Sequence, residues 1–232
     1  MPSSPPKPPR LLITAGPTHE PIDAVRYIGN RSSGRLGVAL ADAAAQKLWQ
    51  VTLLLGPVPL APQDSRVRLE RFRTTAELQS LLARHWPQSD ALVMAAAVAD
   101  YRPVSASPGA KIKRESSNLT IELEPTPDLL AACTTNKRPD QFVVGFALEP
   151  RDRLEDSARA KLARKNLDLI VANPLETMDS PDIHATLFAA DGSRMPMNDP
   201  IPKERFASML LDQIQTRMGA SAQSSASQVG AP

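Results

Sequence analysis

The chain has 232 residues, enough for one large domain or two small ones. Its 42 % hydrophobic and 22 % charged residues are those of an ordinary globular protein, and no apolar run reaches the ~18–20 residues of a membrane-spanning helix, which rules out a transmembrane protein; no membrane partner is expected. Lys+Arg 27 against Asp+Glu 25 leaves a net charge of +2, and aromatics are only 4 %, so neither bulk charge nor a stacking platform supports nucleic-acid binding.

Residues Met1–Pro9 are rich in Pro and Ser, lack an apolar core, and read as a disordered extension rather than a secretory signal. Leu11–Ala15 is a buried strand closed by Gly16-Pro17. Arg35–Lys47, rich in Ala and Leu, is a helix, and Val51–Leu55 a second strand closed by Gly56-Pro57. Val67–Phe72 alternates enough to form a strand, and Thr74 or Thr75 caps a helix running to His85. Leu92–Val98 is a strand, Leu119–Leu123 a half-exposed strand on an excursion, and Asp128–Thr134 a short helix. The single cysteine, Cys133, excludes an intrachain disulfide framework or a cysteine-cluster metal site and fits a reducing cytoplasm. Phe142–Phe146 and Leu167–Ala172 are strands flanking a helix over Asp152–Lys165. Thr186–Ala189 adds a strand, Lys203–Met218 is the last helix, and the small polar residues from Gly219 to Pro232 read as a disordered tail. One domain over residues 10–218 follows. Continuous apolar strands alternating with helices specify the α/β class, a mostly parallel sheet covered on both faces. Ligands in such sheets sit beyond the C-terminal strand ends.

The chemistry-bearing residues fall there. Ser32-Ser33-Gly34 stands before an Ala-rich helix, where unpaired amides and the positive end of the helix dipole suit a phosphate. A helix cap with a tight helix–strand contact accounts for the same spacing. About 15 residues separate the first strand from Gly34, unlike a dinucleotide fingerprint, which follows its strand directly. Ala95–Ala97 leave room at a strand end, and Asp100 is the first carboxylate beyond, placed to meet a metal or polar ligand or simply to cap the loop. Lys111-Ile112-Lys113-Arg114 is a basic run in a Pro/Ser/Gly-flanked insertion, either a closing segment or a solvated charge run. Lys161 and Lys165 share one helix face and could meet a polyphosphate or form a solvated edge. Asn173 stands at a strand end before Pro174. The scattered histidines His19, His85 and His184 have no metal-ligand spacing, and neither a Walker loop nor a nucleophile elbow occurs. What remains suits a reaction in which a nucleotide activates a carboxylate and the protein positions charge.

Taken in order, ITAGPTHEPIDAVRYIGNRSSGRLG, AAAVADYRP, KIKRE, TPDLL, VVGFALE and ARAKLARKNLDLIVAN resemble the phosphopantothenate–cysteine ligase family of coenzyme A biosynthesis, over roughly Arg10 to Met218. The resemblance implies a Rossmann-like sheet sandwiched by helices, with a lid-like β excursion. It also implies a cytoplasmic homodimer and two reaction steps. The carboxylate of 4′-phosphopantothenate attacks the α-phosphate of a nucleoside triphosphate, with Mg²⁺, and pyrophosphate leaves. The amine of cysteine then displaces the nucleoside monophosphate. CTP is implied ahead of ATP by the unbroken SSGRLG and KIKRE. In many bacteria this domain follows a flavin-dependent decarboxylase domain. The chain resembles the free-standing form, so no FMN is expected, and a separate decarboxylase is a further partner.

Carried over by the resemblance, Gly16, Ser32, Gly34 and Gly37 match the triphosphate-contacting turn, and Asn30 the asparagine that holds the pantothenate carboxylate. Ala96, Ala97 and Asp100 match the segment touching nucleotide or substrate, in part across a dimer interface. Lys111 matches the lysine of the lid strand, and Phe146 the aromatic beside the base. Lys161, Lys165 and Asn173 match the other nucleotide-binding positions, and Arg26 resembles an active-site arginine. Catalytic roles are thus expected of Asn30, Lys111, Asp100 and Arg26. No protein metal ligand is implied beyond Asp100. Two other classes of function stay open on the residues: an NAD(P)-dependent oxidoreductase, and a non-catalytic subunit that binds the decarboxylase. The first requires an acidic residue ~20 residues past the glycine turn, whereas the second strand ends in Gly56-Pro57.

Overall fold

The computed structural model describes residues 7–229 except 107, 108, 115 and 179, with backbone only for 221–229. Residues 1–6 of the expected N-terminal extension and 230–232 of the expected tail lie outside the described residues.

The first half of the chain forms β1 (Arg10–Ala15), a hairpin of β2 (His19–Pro21) and β3 (Tyr27–Gly29), α1 (Arg35–Gln46), β4 (Gln50–Leu55), β5 (Arg68–Arg71), α2 (Thr75–His85) and β6 (Ala91–Met94). A ribbon of β7 (Tyr101–Pro103) and β8 (Leu123–Pro125) precedes α3 (Leu129–Thr135), β9 (Phe142–Glu149), α4 (Leu154–Arg164) and β10 (Leu169–Pro174). The chain ends with β11 (Asp182–Ile183), β12 (Thr186–Ala189), β13 (Arg194–Pro196), β14 (Ile201–Pro202) and α5 (Lys203–Val229).

Eight strands form one sheet in the order β13-β12-β10-β9-β6-β1-β4-β5. The strands from β10 to β5 run parallel, and β12 and β13 add an antiparallel edge. Strand alternation sorts the core into two layers. Leu11 and Ile13 of β1 pack with Leu40 and Ala44 of α1 and with Phe206 and Leu210 of α5. Leu12, between them in sequence, packs on the other face with Leu78 of α2, Leu130 of α3 and Leu162 of α4. Burying each such leucine or phenylalanine contributes about 1.5–3 kcal/mol. The mostly parallel α/β sandwich expected from the sequence is therefore the fold.

The topology reverses between β1 and β6. From β1 the chain steps outward through β4 and β5; it then returns to β6 and steps the other way through β9 and β10. The carboxyl ends of β1 and β6 diverge there and leave a crevice.

Several boundaries differ from those expected. The excursion strand is Leu123–Pro125 rather than Leu119–Leu123: it pairs over three residues with β7, and one further bond, from the Val104 amide to the Glu122 carbonyl at 3.0 Å, follows before the chains part. Beyond β6 the chain stays hydrogen-bonded but leaves the sheet: the Ala97 amide donates to the Gly16 carbonyl at 2.9 Å. The helix expected to end at Met218 continues to Val229, through most of the stretch expected to be disordered. The cap of α2 is Thr74, whose hydroxyl accepts from the Glu77 amide at 3.2 Å.

Candidate functional site

Three local features shape the crevice. Gly16 turns out of β1 at φ +79°, and a Cβ there would stand 3.2 Å from the Gly56 amide nitrogen. Gly34 precedes α1 at φ +71° and brings no side-chain acceptor; of the first-turn amides, that of Arg35 donates to the Ser33 hydroxyl at 3.5 Å, and those that follow face the crevice as an anion-binding end. Gly37 lets α1 lie directly on β1: a Cβ there would come 2.2 Å from the Cβ of Ala15. Thr14 and Thr18 fix the opposite wall, their hydroxyls accepting from the amides of Ala96 (3.1 Å) and Ala99 (2.9 Å).

Two adjoining cavities result, one of about 660 Å³ and one of about 240 Å³. The larger is floored by 29–37 and walled by Ala95–Val98, Asp100, Phe146, Lys161 and Asn173. The smaller shares Ala96, Asp100, Phe146 and Lys161 with it and adds Thr126–Leu130 and Lys165.

The electrostatics are concentrated where the cavities meet. Lys161, on α4, donates to the Phe146 carbonyl at 2.6 Å. Burial, reinforced by the neighbouring charge of Lys165, holds the Lys161 ammonium below the usual lysine range. Lys165 pairs with Asp128, its Nζ 2.9 Å from Oδ2. Burial works against the Asp128 charge, but the Ala131 amide and Lys165 outweigh it and keep that carboxyl below its ordinary range. Asn173 donates to the His184 carbonyl at 3.2 Å, and Asn30 to the Val98 carbonyl at 2.8 Å, so each amide is oriented by backbone.

The structure thus brings together Asn30, Ser32, Gly34, Gly37, Ala96, Ala97, Asp100, Phe146, Lys161 and Asn173 around the larger cavity, with Lys165 in the adjoining one. Three expected residues line neither. Gly16 lies beneath Gly34, 3.5 Å from where that residue's Cβ would be, and acts through the turn. Arg26 is drawn away by an ion pair with Asp23. Lys111 is exposed in the segment that Arg26 touches.

Sequence reasoning missed the wall formed by Thr177, Met178, Asp182, Ile183 and Lys203. Lys203 opens α5 and donates to the Ser180 carbonyl. A cation in the first turn of a helix opposes the macrodipole. Lys203 after Pro202, like Arg35 after Gly34, was the signal available in the sequence.

Residues 7–218 match the family model for the DNA/pantothenate metabolism flavoprotein C-terminal domain. The chain belongs to this family. It is 40 % identical over 215 residues to the coenzyme A biosynthesis bifunctional protein CoaBC of Escherichia coli K12, covering 89 % of this chain and 52 % of that protein. It is also 47 % identical over 167 residues to a cysteine/cysteine sulfinic acid decarboxylase of an unknown prokaryote, covering 72 % of this chain and 46 % of that protein. The chain thus spans about half the length of the curated relatives it matches. Among solved structures, the C-terminal domain of CoaBC superposes with a TM-score of 0.78 at 32 % identity, covering 91 % of this chain and 96 % of that one. The DNA/pantothenate metabolism flavoprotein of Streptococcus pneumoniae gives the same TM-score at 25 % identity, covering 90 % and 99 %.

Proposed function

We propose that the chain is a phosphopantothenate–cysteine ligase using CTP. A carboxylate oxygen of 4′-phosphopantothenate attacks the α-phosphorus of CTP, pyrophosphate leaves, and an acyl-cytidylate forms. The amine of cysteine then attacks the acyl carbon, loses a proton and expels CMP, giving 4′-phosphopantothenoylcysteine. The observation that carries this reading is convergence. One cleft joins a helix N-terminus whose N-cap, Gly34, has no side chain, the half-buried ammonium of Lys161 and the backbone-oriented amide of Asn30. The match to the CoaBC C-terminal domain, over 91 % of this chain and 96 % of that one, supports it.

In this reading the first-turn amides of α1, with Ser32, hold the triphosphate, Lys161, where the two cavities meet, holds phosphate near the α-position, and Lys165 contacts the nucleotide from the smaller cavity. The smaller cavity takes the base, beside Phe146. Asn30 and the small residues Ala96 and Ala97 receive the pantothenate carboxylate. Fixed donors aimed at the oxygens where charge develops are the principal catalytic device. Among the described residues no group of three or more His, Cys, Asp or Glu could hold a metal ion, while Asp100 and Asp182 line the cleft. That donor set fits Mg²⁺ arriving on the triphosphate with Asp100 as its contact to the chain, where it would offset phosphate charge.

A homodimer belongs to the same reading. Val25, Tyr27, Tyr101, Val104 and Leu123 are exposed apolar residues on or beside the paired ribbons β2–β3 and β7–β8, a surface suited to a second copy. Sedimentation at a mass of two chains checks this point; a monomer at micromolar concentration rejects it. The activity is tested by mixing the protein with phosphopantothenate, cysteine, Mg²⁺ and either nucleotide. Pyrophosphate release dependent on phosphopantothenate, faster with CTP, is expected. Release with neither CTP nor ATP rejects the reading.

A further inference from the structure

The residue most completely satisfied in the neighbourhood of the cleft is one to which no role has been assigned. Asp23 follows the first hairpin strand, and its side chain is 0 % exposed. Its Oδ1 accepts from the amides of Val25 (2.8 Å) and Arg26 (2.7 Å). Its Oδ2 accepts from Arg26 Nε at 2.9 Å and from Arg26 Nη2. Oδ2 also accepts from the Ile112 amide at 3.1 Å, across 89 residues of chain.

Two further bonds join the same stretches. Arg26 Nη2 donates to the Ile112 carbonyl at 3.2 Å, and the Ala24 amide donates to the Ala110 carbonyl at 3.1 Å. Ile112 is therefore held at both its amide and its carbonyl, and Ala110 at its carbonyl. Lys111 is the residue between them. Residues 111–114 have no regular secondary structure, so no ladder holds them in place. A loop residue with a pinned neighbour on each side has its backbone fixed while its side chain stays exposed.

We propose that Asp23 is a positioning residue for Lys111, with Arg26 as its intermediary. The carboxylate collects donors from two distant stretches and sets where the Lys111 ammonium stands. This rests on the ligase reading for the role of Lys111. It gives Arg26 a task other than touching substrate. The first stretch that resembled the family, from Ile13 to Gly37, thus does two jobs. Its second part lines the cleft, and its first part anchors a lysine from a later segment. Charge-assisted bonds of this kind are the strong ones, and a buried acceptor surrounded by donors resists replacement.

The test is a double-mutant cycle in steady-state turnover with CTP, phosphopantothenate and cysteine, alongside amide exchange on the same proteins. Asp23→Asn and Lys111→Gln should each lower kcat, by about 10–100-fold. The double variant should be no slower than Lys111→Gln alone, because a misplaced lysine and an absent one are equivalent. Exchange at Ile112 should quicken at least tenfold in Asp23→Asn while Val93 in β6 stays protected. Should Asp23→Asn fail to fold, Arg26→Lys takes its place, with the same non-additivity expected. Losses that multiply, or an Asp23→Asn enzyme with wild-type kcat, overturn the proposal. A wild-type protein that releases no pyrophosphate fails at the ligase reading instead; an active wild type with additive losses fails only here.

Discussion

Lys161 and Lys111 carry the same ammonium group in opposite settings. Lys161 stands on α4, half-buried against the sheet, and is aimed by the Phe146 carbonyl. Lys111 stands on an irregular segment, exposed, with only its backbone neighbours tied down. A cation mounted on regular structure is preorganised by the core itself. A cation on a loop needs a dedicated clasp, and the buried Asp23 carboxylate provides one. A lysine on the core therefore inherits the stability of the fold, whereas the loop lysine depends on a few local bonds.

The sharpest way to break that contrast is Lys161→Met. Pyrophosphate release should drop by about 10²–10³-fold, the size of effect seen when a preorganised donor is removed from a site of developing charge. Folding should survive, as read by thermal unfolding. A loss below tenfold would make the half-buried lysine no more important than a surface one.

Next in size is Gly37→Ala, which strains the rigid frame itself. A Cβ 2.2 Å from Ala15 forces α1 away from β1. Overpacking of this kind costs about 1–3 kcal/mol, measured as a lower denaturant midpoint at unchanged slope. An unchanged midpoint would mean that the helix–strand contact adjusts freely.

A smaller effect concerns pH. The Lys161 pKa is lowered in the folded protein, so the group loses its proton at a lower pH than an unfolded-chain lysine. Between the two pKa values the unfolded chain binds more protons. Stability should therefore rise with pH across that alkaline window, the penalty of burying the charge being fully present below the folded pKa and relieved above it. Nucleotide activation should decline over the same interval as the ammonium discharges. Lys161→Arg should move that alkaline decline to higher pH, since a guanidinium keeps its proton. A decline that stays in place assigns it to another group.

The smallest expected change is Gly109→Ala, at the start of the segment that carries Lys111. A Cβ there meets nothing within 4 Å. Stability should stay within about 0.5 kcal/mol of wild type. A larger shift would mean that this segment is packed as tightly as α1.

Much of this was legible in the chain. The apolar runs at Leu11–Ala15, Val51–Leu55, Phe142–Phe146 and Leu167–Ala172 mark parallel strands, because strands covered on both faces carry no polar alternation. The small residues before α1 and after β6 pointed to the cleft because only small side chains leave room at a strand end. The hairpin β2–β3 and the edge strand β13 were not legible: both are three residues long, too short for a period to register. The wall of Thr177, Met178, Asp182 and Ile183 was likewise hidden, since β11 is brought to the site only when it pairs with β14.

What the sequence determined alone was local: which stretches are strands or helices, and which turns require glycine or a cap. These follow from periodicity, backbone sterics and neighbouring hydrogen bonds, all within a few residues of one another. Which lysines share a cleft, that Arg26 turns toward Asp23, and that Asp23 holds Ile112 were decided by tertiary structure. A carboxylate finds donors 89 residues away only after the sheet and its ribbons have assembled, and no local pattern in the chain records that distance being closed.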